Sequence, residues 1–164
     1  MLDPFGTASA KLRHPVTGPT DDLHPGWPEA TPTVQLPSSG TLPSGERMRL
    51  RPLLRSDGPE WRRQRIEDEP LLRPVEPTQA TTWAEAHSSQ AWWNYLIFLR
   101  NSARDAQVIP LAIELEGKFV GQVTLGNIQH GSIRDCWIGY WVYSAVQGGG
   151  VATAATALGV DHAF

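Results

Sequence analysis

The chain has 164 residues, which is enough for one domain with its own hydrophobic core but too few for two full domains. Charged residues make up 19% of the sequence and the net charge is -3, so we expect no basic surface that would neutralise phosphates and no direct binding of nucleic acid. No window approaches about 18 consecutive apolar residues and the N-terminus lacks a signal-peptide pattern, so we expect a cytoplasmic protein that stays out of membranes.

The first part of the chain is rich in proline. Residues 1–45 hold 8 of the 14 prolines and show almost no periodic apolar pattern, so burial cannot offset the entropy cost of ordering them. We therefore predict a flexible arm over residues 1–45. From Glu46 onwards, basic residues alternate with Met48 and Leu50 in the period of a half-buried strand. This alternation places the start of the folded domain, residues 46–164, at Glu46.

Two helices are predicted after this strand. The first begins near Ser56 and Asp57, which can cap a helix, and ends near Pro70. The second covers the segment SSQAWWNYLIFLRNSARDA, residues 88–106, which has apolar residues at helical spacing. The side chains expected to face the core from this second helix are Trp92, Trp93, Leu96, Ile97 and Leu99.

Three strands and a last helix complete the pattern. Alternating apolar residues on both sides of Glu116-Gly117 predict a β-hairpin, and CWIGYWVY, residues 136–143, is apolar on both faces, which is typical of a central strand covered on both sides. Three glycines then lead into an alanine-rich helix that begins at Val151. The element order predicts an α/β domain with a mixed, mostly antiparallel sheet flanked by helices.

The glycines at 148–150 lie where a strand passes into a helix. Backbone N–H groups at a helix start lack internal partners and attract anions, and glycine lets the chain approach phosphate oxygens closely. A pliable turn without a ligand explains the glycines equally well. A P-loop is disfavoured because no lysine follows Gly150, and a dinucleotide-binding fingerprint is disfavoured because the sheet before it is predicted to be antiparallel.

The glycine segment resembles the pyrophosphate-binding loop of the GNAT acetyltransferases, whose pattern is Gln/Arg-x-x-Gly-x-Gly/Ala. Gln147, Gly150 and Ala152 occupy the defining positions, and Thr153 follows as it often does in that family. The stretches LRPL, EGKFVGQVTLGNI, IGYWV and GVAT are similar to the RimJ/RimL-type branch, which acetylates N-terminal α-amines of ribosomal proteins. The resemblance runs from about Glu46 to the end of the chain and covers roughly the first two thirds of a GNAT domain. It implies a C-terminally truncated chain that lacks the last strands and their helix.

The resemblance also implies the cosubstrate, acetyl-CoA, and the residues that bind it. Its pantetheine arm would lie beside the strand that contains Trp141, Val142 and Tyr143 and pair with free backbone groups there, and its pyrophosphate would meet the amides of the loop. An amine would then attack the thioester directly, with a backbone N–H stabilising the oxyanion. The implied coenzyme-binding residues are Trp141, Val142, Tyr143, Gln147, Gly148, Gly149, Gly150, Val151, Ala152 and Thr153.

No residue is assigned as a catalytic acid or base. Glu67 and Glu76 are expected near the acceptor substrate, because the first helix and the loop after it lie on that side in relatives, and Glu114 is a further carboxylate that could relay a proton. Each of the three is more typical of a solvated surface charge. Trp137 occupies the position where relatives usually carry an acidic residue, so a base from that position is not available.

The expected partner is the N-terminus of a protein, and the protein is expected to be a monomer or a homodimer. Two alternatives stay open: the acceptor is a small-molecule amine, or the domain is an inactive module that only binds CoA or a partner. One cysteine, Cys136, excludes an internal disulfide and is expected to be a buried thiol. The five histidines lack the spacing of ligands, so no metal site is predicted.

Overall fold

The computed structural model describes residues 30–39, 42 and 45–163. Its strands are β1 (Val34–Gln35), β2 (Arg47–Pro52), β3 (Val108–Leu115), β4 (Lys118–His130) and β5 (Arg134–Val142). Its α-helices are α1 (Gly58–Glu67), α2 (Glu69–Leu72), α3 (Trp83–Ala86), α4 (Ser89–Arg104) and α5 (Val151–Ala163), and single 3-10 turns occur at Arg55–Asp57 and Ser144–Val146.

The five strands form one sheet in sequence order, and every neighbouring pair is antiparallel. The predicted hairpin is confirmed as β3 and β4. Its turn residues Glu116 and Gly117 both have positive φ, 46° and 77°, which is the backbone shape that fits the right-handed twist of a two-residue hairpin. An α/β domain with an antiparallel sheet flanked by helices is therefore confirmed.

Helices cover both faces of the sheet. On one face, α5 packs Val151, Ala155 and Leu158 against a core that includes Leu50, Leu111 and other residues of β2 to β5. On the other face, α1 and α4 enclose a second cluster built around Trp61, Trp92, Leu96, Leu99 and Phe119. The α4 positions Trp92, Leu96 and Leu99 are buried as predicted, whereas Ile97 is 37% exposed, so its predicted place in the core is wrong. The neighbouring Phe98 is 63% exposed.

The folded domain begins before Glu46, contrary to the predicted boundary. Val34 and Gln35 pair with Met48 and Arg47, and Leu36 is 3% exposed within the main core. Leu42 is also buried. The prolines in this stretch suppress periodicity but do not prevent a two-residue edge strand. The rest of the predicted arm, residues 1–29, 40–41 and 43–44, lies outside the described residues.

The strand predicted to be central, β5, lies at the edge of the sheet. In the described part of the chain its hydrogen-bonded neighbour is β4 alone. Its side chains Trp137 and Tyr140 are 53% and 55% exposed, so the strand is not covered on both sides. The residues of CWIGYWVY are apolar on both faces, but this pattern does not show which elements cover each face.

A buried ion network joins β2, β3 and the start of α1. Arg51 donates two hydrogen bonds to the Asp57 carboxylate at 2.8 and 2.9 Å and also pairs with Glu114, which accepts from Arg49 at 2.8 Å. Burial alone would raise the pKa of Glu114, but the hydrogen bonds from Arg49 and Arg51 outweigh it and lower the pKa. Glu114 is thus held by two arginines and is not a solvated surface charge. Asp57 binds Arg51 and the Leu54 N–H in place of capping α1.

Candidate functional site

The glycine segment forms a tight loop between β5 and α5. Gly148 and Gly150 each have a φ of 78°, a conformation that side chains rarely adopt, so glycine is needed at both positions. Gly149 is buried, and a Cβ placed on it would lie 2.3 Å from the Leu42 side chain. A Cβ on Gly150 would meet nothing within 4 Å, which leaves open space above the loop. The loop is therefore packed against Leu42 at Gly149 and open to solvent at Gly150.

Six consecutive backbone N–H groups of this segment have no acceptor in the described part of the chain. They belong to Gly148, Gly149, Gly150, Val151, Ala152 and Thr153. The first bond into the helix is donated by Ala154 to the Gly150 carbonyl at 3.0 Å, so α5 itself satisfies none of the six. Together with the positive end of the helix dipole, they form a cradle for an anion with several acceptor oxygens.

The free edge of β5 leads to this cradle. The Tyr143 N–H donates to the Val120 carbonyl on β4 at 2.9 Å. Because backbone groups of an antiparallel strand alternate between its two edges, the N–H groups of Tyr140 and Val142 point away from β4. Gln147 follows the same edge, with its Nε2 3.5 Å from the Val142 carbonyl.

This geometry changes the prediction for the strand. Of Trp141, Val142 and Tyr143, Val142 alone faces the free edge, since the Tyr143 N–H and carbonyl are already bonded to Val120 and Val146 and the Trp141 backbone faces β4 by the same alternation. Tyr140 was missed because sequence does not show which of two alternating residues faces the open side. A hydrogen bond such as that of Tyr143 is needed to set the register.

Two consecutive carboxylates at the end of α1 hold the segment that leads into the loop. Asp68 is 3% exposed and accepts from the Ser144 N–H at 2.8 Å and from the Ser144 hydroxyl at 2.5 Å. Glu67 accepts from the Tyr143 hydroxyl and from Arg63, and these bonds lower the pKa of Glu67. The same hydrogen bond, between the Tyr143 hydroxyl and Glu67, raises the pKa of Tyr143. Glu67 therefore lies beside the loop entrance, engaged by neighbours of its own chain.

Glu76 belongs to a separate network. It forms an ion pair with Arg65, whose guanidinium lies between the rings of Trp83 and Trp141, with its centre 5.6 and 5.1 Å from the two ring centroids. The side chain of Arg65 is only 9% exposed. Glu76 is thus tied to β5 through Trp141, and neither predicted substrate carboxylate is an unpaired charge. Nothing in the sequence pattern indicated Asp68 or Arg65, because their partners come from distant elements.

Other candidate groups carry little chemistry. Cys136 is half-buried, has no disulfide partner and packs on the α5 side of the sheet. Within the described residues, no cluster of three or more His, Cys, Asp or Glu side chains is arranged to hold a metal ion. No helix in the same part of the chain combines the length and hydrophobicity needed to cross a bilayer.

Comparisons with known proteins identify similar domains. A family model described as "Acetyltransferase (GNAT) domain" matches residues 47–164. The structure is similar to RimJ of Mycobacterium smegmatis in complex with CoA-disulfide, with 42% sequence identity and a TM-score of 0.78 over 86% of this chain and 64% of that chain. No curated protein sequence gives a significant match.

More distant structures share the fold. A RimL ribosomal L7/L12 α-N-protein acetyltransferase in complex with coenzyme A is 17% identical, with a TM-score of 0.59 over 79% of this chain and 67% of that chain. A ribosomal-protein-S5-alanine acetyltransferase from Vibrio fischeri is 20% identical, with a TM-score of 0.60 over 70% and 62% of the two chains. The present chain therefore spans about two thirds of the length of these enzymes.

Proposed function

The chain belongs to the GNAT acetyltransferase family, and from this premise we propose that it transfers the acetyl group of acetyl-CoA to the N-terminal α-amine of a protein, with a ribosomal protein as acceptor. The family model matches residues 47–164, and several of the similar structures are enzymes named for ribosomal proteins, among them L7/L12 and S5. The 42% identity to a RimJ structure that contains a CoA-disulfide supports the coenzyme and the branch.

One observation carries the proposal: the six unpaired N–H groups from Gly148 to Thr153 at the start of α5. A diphosphate offers several anionic oxygens at the spacing of neighbouring amides. Each exposed interaction of an anion with a helix N-terminus contributes about 0.3–1 kcal/mol. Several amides acting together therefore contribute a few kcal/mol to the binding of a diphosphate.

The free edge of β5 supplies the second part of the coenzyme site. The N–H groups of Tyr140 and Val142 are two residues apart, roughly 7 Å, and point to the same side. The Val142 N–H can donate to an amide carbonyl of an extended pantetheine arm as a neighbouring strand would, which leaves the Tyr140 N–H for the thioester. The arm would leave the cradle at Gln147 and run along β5 as far as Tyr140.

The bound thioester supplies the acetyl group. The amine nitrogen forms a bond to the thioester carbon, and the carbon–sulfur bond breaks. The proton lost by the amine goes to the sulfur, which leaves as the free thiol of CoA. The Tyr140 N–H lies at the end of the arm and would donate to the oxygen that becomes negative during attack. An α-amine with a pKa of about 7.7–8 is already roughly one tenth neutral near pH 7, so a weak base or a water chain suffices.

The decisive experiment titrates CoA and acetyl-CoA into the ¹⁵N-labelled chain. Shifts of the amide resonances from Gly148 to Thr153 are expected, and unmoved resonances would remove the basis of the proposal. Gly150→Asp and Gly150→Asn form a matched pair, because both introduce the same backbone strain and differ by one negative charge. Affinity for CoA should be lower for the Asp variant by about tenfold, as expected for one added charge near a phosphate in a partly solvated site.

Turnover is then measured by release of free thiol when an Ala-initiated peptide is supplied. Acetylation of the peptide supports the proposed acceptor class. Faster acetylation of a small polyamine would identify a small-molecule acetyltransferase, and coenzyme binding without turnover of any amine would identify an inactive binding module.

A further inference from the structure

We propose that Trp137 determines acceptor specificity: its indole forms one wall of a cleft that accepts uncharged, apolar side chains directly after the acceptor's N-terminal residue. This inference rests on the proposed function and names the chemistry of the acceptor for the same site. It concerns a position where the family usually has an acidic residue and this chain has an aromatic one.

The cleft lies between α4 and the strands β4 and β5 and has a volume of about 670 Å³. Its apolar walls include Phe98, which is 63% exposed, and Trp137, which is 53% exposed. The polar groups that line it come from uncharged side chains such as Ser102, Thr124 and Asn127 together with His130, and no Asp, Glu, Lys or Arg side chain is among the lining residues. Two exposed aromatic rings in a cleft lined by uncharged polar groups favour an apolar, neutral occupant.

Two glycines leave room for the Trp137 ring. A Cβ added to Gly126 would lie 2.3 Å from the ring, and a Cβ added to Gly139 would lie 2.8 Å from it. Gly126 is the cross-strand partner of Trp137, and Gly139 is the next residue of β5 on the same face. The indole therefore lies flat on backbone that has no side chains, and its other face is presented to the cleft.

The cleft lies on the face of β5 that α5 does not cover. On the opposite face of β5, α5 is packed so closely that a Cβ on Gly159 would lie 3.0 Å from Ile138. Trp137 is three residues from Tyr140, roughly 10 Å along the strand, which is also the span of about three extended residues. A peptide whose amine is beside the Tyr140 N–H therefore brings its second or third side chain to the Trp137 ring.

A bulge near the end of β4 forms part of the cleft wall. The β4–β5 register shifts between Gly126 and Gln129, and Asn127 has a positive φ of 52°. Such bulges bend a strand and re-aim side chains next to functional sites. The bulge residues Asn127 and Ile128 line the same cleft as Trp137 and Phe98.

The test compares three acceptor peptides, Ala-Leu-Leu-Gly, Ala-Glu-Glu-Gly and Ala-Lys-Lys-Gly, with the whole chain and acetyl-CoA. Wild type should use the Leu peptide with a kcat/KM on the order of tenfold or more above the two charged peptides, as expected when one apolar pocket contact is lost. Trp137→Ala should reduce this ratio to less than about threefold while the affinity for CoA stays unchanged. Phe98→Ala, on a different element, should reduce the ratio as well, and Ile133→Ala, an exposed apolar residue outside the cleft lining, should leave it unaltered.

Equal use of the three peptides by wild type, or a ratio that survives in Trp137→Ala, would overturn the inference and leave the proposed function intact. If CoA binds but no peptide is acetylated, the proposed function fails, and the indole N–H resonance of Trp137 still decides the inference. A shift of that resonance with the Leu peptide but not with the Glu peptide supports it, and the absence of any shift overturns it.

Discussion

Replacing Asp68 by alanine should destabilise the fold by about 2–4 kcal/mol. Asp68 is 3% exposed and accepts two hydrogen bonds from Ser144, and bonds to a charged group contribute about 1.5–3 kcal/mol each. The total is below the simple sum because Ser144 is half-buried and water can replace part of what is lost. Loss of the carboxylate also frees the 3-10 turn that leads into the glycine loop.

Asp68→Asn separates geometry from charge. An asparagine can accept from the Ser144 N–H and donate to its hydroxyl, so both contacts persist and only the charge contribution is lost, about 1 kcal/mol. A double-mutant cycle of Asp68→Ala with Ser144→Ala should give a coupling energy of about 1–2 kcal/mol. Glu69→Ala is the control, since its exposed pair with Arg73 contributes at most about 0.5 kcal/mol.

Equilibrium urea unfolding followed by tryptophan fluorescence measures these differences. Amide hydrogen exchange adds a local measurement: the amides of residues 144–150 should exchange faster in Asp68→Ala than in the Glu69 control. A loss below about 0.5 kcal/mol for Asp68→Ala, or equal losses for the Ala and Asn variants, would show that the two bonds to Ser144 do not hold the loop entrance as argued.

Three further predictions follow from single contacts. Gly149→Ala should cost about 1–3 kcal/mol by crowding Leu42, more than the roughly 1 kcal/mol of backbone strain expected for Gly150→Ala, and equal losses in thermal unfolding would contradict the packing of the loop. Burial, assisted by the positive charge of Arg65, lowers the pKa of His87 below 6.5. The free energy of unfolding should therefore reach its full value above pH 6.5 and decrease as the pH falls below 6.5. His87→Gln should abolish this pH dependence, and an unchanged dependence would assign it to other groups. Arg65→Lys keeps the ion pair with Glu76 but removes the planar group between two indoles, so it should cost about 1–2 kcal/mol and change the near-ultraviolet circular dichroism, whereas an unaltered spectrum would contradict the stacking.

Local signals predicted most of the fold. The hairpin turn at Glu116-Gly117, the helix in residues 88–106 and the helix start at Val151 each follow from residues close together in sequence, and each is present. The strand at Val34–Gln35 was missed because two residues carry no periodicity, and its stability comes from pairing with β2. The error at Ile97 has a similar origin, since helical spacing gives the direction of an apolar stripe but not how wide a surface the sheet covers.

The same distinction between local signals and long-range contacts applies to the candidate site. The loop from Gln147 to Thr153 was predictable because glycine content and a helix start are local properties. Tyr140 was not, since its exposure to the free edge depends on the bond between Tyr143 and Val120. The partners of Glu67 and Glu76 were equally inaccessible, because ion pairs between distant segments are set by the fold.

The long sequence separation between the paired strands β2 and β3 matters while the protein is synthesised on the ribosome. Arg49 and its partner Glu114 are 65 residues apart in the chain. At a translation rate of roughly 5–20 residues per second, β2 leaves the ribosome roughly 3–13 seconds before β3 can pair with it. During this interval Met48 and Leu50, both 0% exposed in the folded protein, have no sheet to cover them. The nascent chain therefore presents an apolar segment that chaperones can bind until the second half of the sheet emerges.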